Sequence, residues 1–227
     1  MNARTTILFT LATSLAAPAA IAAEDDFVAR GNEPGWIVRK DADGLTFQGM
    51  GGDPITVSPV PVPEIREVYR STVDGLPFVL TIANTLCVDT MSGMPHPQSV
   101  TVEVGDQRLE GCGGEPAALL HGDWTVVEIG GSPIVEGSDV TLTFTEGGEI
   151  NGGASCNRYF GGFALTGESL TITNQGATMM MCEQTLMDQE GLYLSILEAV
   201  TGFEIGPDGS LILRAVDGRS VTASRKG

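Results

Sequence analysis

The sequence predicts a mainly β protein with an α+β second domain: an N-terminal antiparallel β meander or barrel-like domain, then an antiparallel β-roll with one packed helix. Three observations support this. Short runs of alternating apolar and polar residues follow one another along most of the chain. Asp-Gly and Gly-Asp pairs, the turn chemistry of β-hairpins, separate several of these runs. One late segment, 186–200, has helical periodicity instead.

Residues 1–23 are typical of a cleaved secretory signal peptide. Arg4 precedes an apolar stretch from Ile7 to Ala17, and Ala20-Ile21-Ala22 fits the A-x-A cleavage pattern. The stretch is shorter than the roughly 20 residues that span a bilayer. We therefore expect a soluble periplasmic chain without a transmembrane segment, with about 204 residues and room for two small domains.

The chain is strongly acidic. Its formal net charge is −17 at pH 7, and it becomes −18 once Arg4 is removed with the leader. Nucleic acids and anionic lipids are bound through Lys and Arg, so the charge argues against both as partners. Solubility is the simplest interpretation, and an acidic face that attracts a basic partner stays open.

Four cysteines, Cys87, Cys112, Cys156 and Cys182, are an even number in a chain expected to be exported, which predicts structural disulfides. Of the three possible pairings, the simplest joins neighbours in sequence, with one bridge in each domain. Each disulfide should then stabilise its domain by about 3 to 4 kcal/mol. A zinc site is the rival interpretation, but the chain has no Cys-x-x-Cys or Cys-x-x-His spacing. We predict no metal and no cofactor.

Residues 24–115 are predicted to form the first domain, which is all or nearly all β. Its hairpins pair 36–39 with 45–48, 67–73 with 76–82 around Asp74-Gly75, and 99–104 with 107–110 around Gly105-Asp106. The proline-rich segment 59–63 cannot lie in a central strand, so we predict an edge strand or a stiff connector there.

Residues 117–225 are predicted to form the second domain, because the strand pattern lapses between Gly113 and Trp124. The predicted strands are 124–129, 140–145, 158–165, 169–173, 203–205, 210–215 and 220–223. A helix is predicted from Leu186 to Val200, with Thr185 and Asp188 as its capping pair. Its apolar face is predicted to contain Leu186, Tyr193, Ile196, Leu197 and Val200.

The second domain resembles the META domain, the family of the heat-shock protein HslJ. The resemblance spans roughly 117–225 and rests on Gly-Gly-Ala-Ser-Cys-Asn-Arg-Tyr-Phe-Gly at 152–161 and Ala-Thr-Met-Met-Met-Cys at 177–182. Ser155 stands where the family usually has glycine, and Met181 where alanine is common. The first of these departures should affect the tight turn before Cys156.

The first domain is similar to a family of bacterial envelope proteins without an assigned activity, described as lipoproteins or membrane proteins. The motifs are Ala-Arg-Gly-Asn-Glu-Pro-Gly-Trp at 29–36, Cys-Val-Asp-Thr-Met-Ser-Gly-Met-Pro at 87–95 and Leu-Glu-Gly-Cys-Gly-Gly at 109–114. Together the two resemblances imply an envelope protein linked to stress tolerance, secretion or surface properties. They supply no catalytic residues, and a shared fold does not supply a mechanism.

Two groups of residues are candidates for binding. In the first, Glu33 could present a carboxylate to a ligand beside Asn32 and the aromatic wall of Trp36, although a turn followed by a core tryptophan is favoured. In the second, Asn157, Arg158 and Tyr159 could form a small polar pocket. The favoured alternative is that Asn157 caps a turn, Arg158 is solvated and Tyr159 packs.

Copper is the metal that the residue types would allow. Met91, Met94 and His96 form Met-x-x-Met-x-His, and thioether and imidazole groups are ligands of Cu(I). Methionine also fills gaps in cores, which is the favoured interpretation. We judge Met179, Met180 and Met181 in the same way, because neighbours in a strand would point to opposite faces.

Nucleophilic catalysis needs a histidine beside a serine or cysteine and held by a carboxylate. His121 lies near Asp123, and Ser92 near His96, but neither pair has the turn chemistry of a nucleophile. The glycine-rich stretch 146–153 lacks the lysine and following helix of a phosphate loop. The sequence therefore favours a non-enzymatic periplasmic protein that binds a protein or envelope component. A copper-binding protein and a hydrolase or thiol enzyme are the alternatives.

Overall fold

The computed structural model describes residues 27–41, 44–57, 59–60, 66–73 and 75–226. The predicted signal peptide and the tips of two predicted hairpins, at 42–43 and at Asp74, lie outside these ranges. No helix of the described residues is long and apolar enough to cross a membrane.

The first half of the described chain forms one antiparallel sheet with the strand order β4-β3-β2-β1-β11-β10-β7-β6-β5. A two-stranded ladder of β8 with β9 lies beside it. The strands are β1 (Phe27–Asn32), β2 (Gly35–Asp41), β3 (Gly44–Gly49), β4 (Ile55–Val57), β5 (Pro59–Val60), β6 (Arg66–Val73), β7 (Leu76–Ala83), β8 (Cys87–Val88), β9 (Pro95–His96), β10 (Gln98–Val104) and β11 (Gln107–Gly113). The sheet curls until β4 approaches β6, so it is nearly closed.

Local sequence accounts for most of this sheet. The three predicted hairpins are present as β2–β3, β6–β7 and β10–β11, and Pro59 begins the edge strand β5, where a missing N–H does least harm. The strand β1 was not predicted, because Gly31 and Asn32 suggest a turn. The turn lies one step later, at Glu33 and Pro34, whose peptide bond is cis.

Trp36 explains one glycine in each of two motifs of the first domain. A β-carbon at Gly31 or at Gly111 would overlap its ring, so the indole lies across two strands that have no side chains there. The ring is buried and neighbours Phe47, whose ring centroid lies 5.2 Å from that of Phe78. The predicted anchoring of the core by Trp36 is therefore present in the structure.

The second half forms another antiparallel sheet, with the order β17-β16-β15-β14-β12-β20-β19-β18 and β13 paired to β12. Its elements are α1 (Ala117–Leu120), β12 (Gly122–Ile129), β13 (Ser132–Pro133), β14 (Thr141–Phe144), β15 (Glu149–Gly153), β16 (Arg158–Leu165), β17 (Leu170–Ala177), α2 (Gln184–Glu198), β18 (Val200–Ile205), β19 (Leu211–Ala215) and β20 (Ser220–Arg225). This sheet is also nearly closed, and α2 packs on it. The predicted fold class, a mainly β chain with one packed helix near its end, is confirmed.

One strand of the second half was not predicted, and the predicted capping pair of the helix was wrong. The stretch 146–153 contains the strand β15, which glycine disguises because it has low strand propensity. There Gly152 is required, since a β-carbon would overlap the carbonyl of Thr141. The helix begins at Gln184, with Glu183 as its N-cap residue and without a side-chain cap. Asp188 accepts a hydrogen bond from Gln184 instead of forming a capping pair with Thr185.

The helix ends earlier than predicted, but its apolar face is largely as expected. Tyr193, Ile196 and Leu197 are buried against the sheet. Val200 is also buried, but it begins the strand β18, and Leu186 is only partly buried. The helix ends before Val200 because Val200 pairs with Ala215 of β19, and this strand pairing replaces the helical hydrogen bonds.

The two halves have separate hydrophobic cores, and the segment between them belongs to the second. Leu120 of α1 is buried in the second core, and its carbonyl accepts a hydrogen bond from the indole of Trp124 at 2.7 Å. Arg225 stacks over the same indole and donates to the carbonyls of Leu119 and His121. These contacts hold α1 against the second sheet.

Candidate functional site

A groove of about 910 Å³ lies where the two halves of the structure meet, and we call it the seam groove. One wall comes from β1 and the disulfide-closed loop after β8, and the other from the turn between β16 and β17. The lining residues are Val28, Arg30, Asn32, Asp89, Met91, Ser92, His96, Cys112, Gly114, Glu115, Pro116, Ala117, Leu165, Thr166, Gly167 and Glu168.

Disulfide bonds hold the elements around both candidate sites. Cys87 is bonded to Cys112, and Cys156 to Cys182, as the sequence analysis expects. The first bond ties the start of the loop 87–96 to β11, which forms part of the groove wall. No free cysteine is present among the described residues.

Asp89 organises the loop that forms one wall. Its Oδ1 accepts hydrogen bonds from the backbone N–H groups of Met91 (3.0 Å) and Ser92 (2.8 Å) and from the Ser92 hydroxyl (2.9 Å). Its Oδ2 accepts a hydrogen bond from Nδ2 of Asn32 at 2.8 Å. Partial burial raises the pKa of Asp89. The hydrogen bonds from Ser92, Asn32 and Met91 outweigh this effect and lower the pKa to about 2.

The opposite wall is an ordered turn. The hydroxyl of Thr166 accepts hydrogen bonds from the backbone N–H groups of Glu168 (3.3 Å) and Ser169 (3.0 Å). The Glu168 side chain is exposed at the rim of the groove. The Thr166 hydroxyl thus satisfies two backbone N–H groups that have no strand partner in the turn, and this fixes the turn.

The charges that line the groove are mostly negative. Asp89, Glu115 and Glu168 contribute three carboxylates, against the single guanidinium of Arg30. His96 places its Nδ1 2.9 Å from the carbonyl of Gly114, so Nδ1 is the donor of this hydrogen bond. The groove therefore favours positively charged or hydrogen-bond-donating groups.

The first predicted binding group is divided by the structure. Asn32 lines the groove and binds Asp89, whereas Trp36 is a core residue. Glu33 is exposed in the turn between β1 and β2 and does not line the seam groove. The aromatic wall beside a carboxylate is therefore not formed, because the Trp36 ring is covered by its own sheet.

The proposed copper ligands are also separated. Met94 is 4% exposed and packs in the core of the second half, whereas Met91 is 79% exposed. Packing of Met94 in the second core gives its thioether apolar neighbours instead of an ion. Met91 and His96 both line the seam groove, whereas Met94 packs in the second core, so the three predicted ligands do not share one site.

The second predicted group is built around Asn157, which is buried. Its Nδ2 donates to Oε1 of Glu190 at 2.9 Å, and its Oδ1 accepts hydrogen bonds from the hydroxyl of Thr178 and the backbone N–H of Met180. All of these partners are internal. Asn157 therefore holds a turn, as the favoured interpretation predicts, and offers no group to a ligand.

Tyr159 is buried beside Tyr193, with 2.8 Å between the two hydroxyl oxygens. Burial raises the pKa of both phenols, to well above the usual value for Tyr193. Arg158 is exposed on the same strand. The three residues do not converge on a pocket, because successive side chains of β16 point to opposite faces of the sheet.

The catalytic pairs considered above are not assembled. The Ser92 hydroxyl donates to Asp89, and the carboxylate of Asp123 accepts a hydrogen bond from Thr143 at 2.7 Å. His121 lies edge-on to the ring of Phe163. In the described part of the chain, no histidine is hydrogen-bonded to a serine, a cysteine or a carboxylate.

The four residues that carry the charge of the groove were not predicted as site residues: Arg30, Asp89, Glu115 and Glu168. For Asp89 a signal existed, because Asp-x-x-Ser-Gly is a turn sequence in which the carboxylate binds following N–H groups. The other three are exposed charged residues far apart in the sequence, and only the fold places them around one groove.

One family model matches the second half of the chain. Residues 117–227 match the family model described as META domain. This part of the chain is a META domain. Within the META domain of this chain, hydrogen bonds between Asn157 and Glu190 join the Cys-Asn-Arg-Tyr turn to α2. The resemblance proposed for residues 24–115 stays a prediction.

Three solved structures are similar to this chain over about half its length. An NMR structure of a protein from Burkholderia xenovorans is 27% identical, with 49% of this chain and 88% of that chain covered and a TM-score of 0.41. A second NMR structure is 22% identical, with 48% and 93% covered and a TM-score of 0.38. The crystal structure of a DUF4847 family protein from Bacteroides vulgatus is 13% identical, with 50% and 100% covered and a TM-score of 0.40. Comparison with the curated proteins gave no match.

Proposed function

We propose that this protein is a non-enzymatic protein of the periplasm that binds a basic segment of another envelope protein in the seam groove. Its role would be envelope maintenance or stress tolerance. The observation that carries the proposal is the charge of the groove, in which three carboxylates oppose one guanidinium. Complementary charge steers a partner to a site and selects its orientation.

The shape of the groove suits a peptide segment. Its volume of about 910 Å³ lies near the top of the range of about 300 to 1,000 Å³ for small-molecule pockets. It is partly open to solvent, so a partner can reach the lining residues from outside. Backbone N–H groups of such a segment would find acceptors in the carboxylates of Asp89, Glu115 and Glu168.

The walls are ordered before any partner binds. Hydrogen bonds to Asp89 hold the loop 87–96, and the disulfide between Cys87 and Cys112 ties that loop to the sheet. The low pKa of Asp89 keeps its carboxylate charged at neutral pH. A preformed site spares the entropy cost of ordering loops on binding, which favours affinity.

Compartment and chemistry support the remaining parts of the proposal. A signal peptide is predicted for residues 1–23, and two disulfides are typical of exported proteins. Because both cysteine pairs are bridged, the thiol nucleophiles that an enzyme would use are not available. Binding therefore explains the groove better than catalysis.

A peptide titration tests the proposal. A fluorescent ten-residue peptide rich in lysine and glycine should bind the full chain at low ionic strength, and an equally long glutamate-rich peptide should not. The double variant Glu115→Gln with Glu168→Gln should weaken binding about fivefold, because two exposed ion pairs of about 0.5 kcal/mol each would be lost. The measurement is fluorescence anisotropy.

The control is the double variant Glu136→Gln with Asp139→Asn, which removes the same charge from exposed positions outside the groove lining. It should leave the affinity unchanged. Equal weakening by both double variants would show that the peptide responds to net charge alone, and the seam groove would lose its role.

A further inference from the structure

The segment Met179–Met180–Met181 lies outside regular structure, between β17 and α2. In a strand, as considered from the sequence, neighbouring side chains would face opposite sides. In the structure all three side chains are exposed: 97% for Met179, 55% for Met180 and 90% for Met181. Three adjacent thioethers therefore reach solvent on one short segment, which we call the methionine segment.

The backbone of the methionine segment is held without help from its side chains. Cys182 is bonded to Cys156, and the N–H of Met180 donates to Oδ1 of Asn157 at 2.7 Å. Just before the segment, Thr178 exchanges hydrogen bonds with Arg158 through its N–H and its hydroxyl. A chemical change at the three sulfurs would therefore leave these anchors intact.

We propose that the methionine segment is a modification site at which hydroperoxides oxidise thioethers to sulfoxides without unfolding the protein. In each step the peroxide O–O bond breaks and one oxygen atom is transferred to sulfur, forming an S–O bond. Sulfur loses two electrons, and the peroxide is reduced to water or an alcohol. Both cysteine pairs are already disulfides, so the described chain offers no thiol that would react first.

Oxidation would change the character of the surface at this end of the second half. The three adjacent methionines expose apolar side chains to solvent, and Phe160, whose ring lies against Gly176, is exposed as well. A sulfoxide is polar, whereas a thioether is apolar. Oxidation of three neighbouring residues would thus convert an apolar patch into a polar one.

The test is peptide mapping of the full chain after graded treatment with hydrogen peroxide. Met179 and Met181 should each gain 16 Da at least about tenfold faster than buried Met94, because accessibility governs the reaction. The melting temperature should stay unchanged while the methionine segment is oxidised. Three results would overturn the proposal. Met94 could be oxidised at the same rate, or Met50 or Met91 could be oxidised ahead of both Met179 and Met181. The third is a melting temperature that falls in step with oxidation of the segment.

A matched variant tests the change of surface. The triple variant Met179→Leu, Met180→Leu, Met181→Leu keeps the apolar volume but removes the sulfurs. On a hydrophobic-interaction column the oxidised native protein should elute earlier than the untreated one, whereas peroxide should shift the variant much less. An equal shift in both proteins, or none in the native protein despite three added oxygen atoms, would refute the conversion of the patch.

Discussion

Glu190 contacts Asn157 at two points, accepting a hydrogen bond from its backbone N–H at 2.6 Å and another from its side-chain Nδ2 at 2.9 Å. The same carboxylate accepts from the N–H of Cys156 at 3.2 Å. One helical side chain therefore satisfies three donors of the turn that carries the disulfide. The relationship explains why asparagine, with donor and acceptor on one amide, occupies position 157.

Replacing Asn157 with alanine should lower the free energy of unfolding by about 2 to 3 kcal/mol, because three hydrogen bonds made by its buried amide would be lost. The partners are the carboxylate of Glu190, the hydroxyl of Thr178 and the N–H of Met180. Urea denaturation followed by tryptophan fluorescence measures this. Arg158→Ala, at the exposed next position, is the control and should change stability by less than about 0.5 kcal/mol.

Ser155 has a φ of 99°, a backbone conformation that favours glycine. We expect Ser155→Gly to be more stable than Ser155→Ala by about 1 kcal/mol, the reverse of the usual order of these residues in regular structure. Both variants lose the hydrogen bond from Gln189, so the comparison isolates the backbone. Thermal unfolding of the two variants measures the difference, and an alanine variant as stable as the glycine variant would contradict backbone strain.

Met94 belongs to the loop of the first half but packs in the core of the second. Met94→Ala should therefore cost about 2 to 5 kcal/mol of stability, as for other buried large residues. Its matched control is Met91→Ala in the same loop, where the side chain is exposed and the change should be near zero. Differential scanning calorimetry also shows whether the halves then melt separately, and a small effect of both variants would contradict the packing.

The hydrogen bonds to Asp89 predict a pH dependence of stability. The pKa of Asp89 is lowered to about 2 in the folded protein, and in the unfolded chain it is about 4. The ionised group thus stabilises the fold fully above about pH 4, and this contribution is lost as the pH falls from about 4 to about 2. The difference in melting temperature between the native protein and Asp89→Asn should be largest at neutral pH and shrink over that interval. Asp106→Asn, in an exposed turn, controls for a general effect of charge, and a difference that does not vary with pH would contradict the assignment.

Much of the fold followed from the sequence because its signals are local. Turn pairs such as Gly105-Asp106 determine where a hairpin reverses, and alternation determines which residues face the core. The strand β16 was predicted with its observed bounds, 158–165. Strands β1 and β15 were missed because glycine there serves close packing against Trp36 and Thr141, which no local pattern reveals.

The binding surfaces depend on contacts between distant parts of the chain. Arg30, Asp89, Glu115 and Glu168 come together only because the two sheets meet beside the loop 87–96. In the sequence Met91 and Met94 are equivalent candidate ligands in one loop. Packing buries Met94 and leaves Met91 exposed. The sequence by itself thus determined the β architecture and the residues available for disulfides. The tertiary structure decided which side chains share a groove, because burial and charge clustering arise from contacts that sequence spacing does not encode.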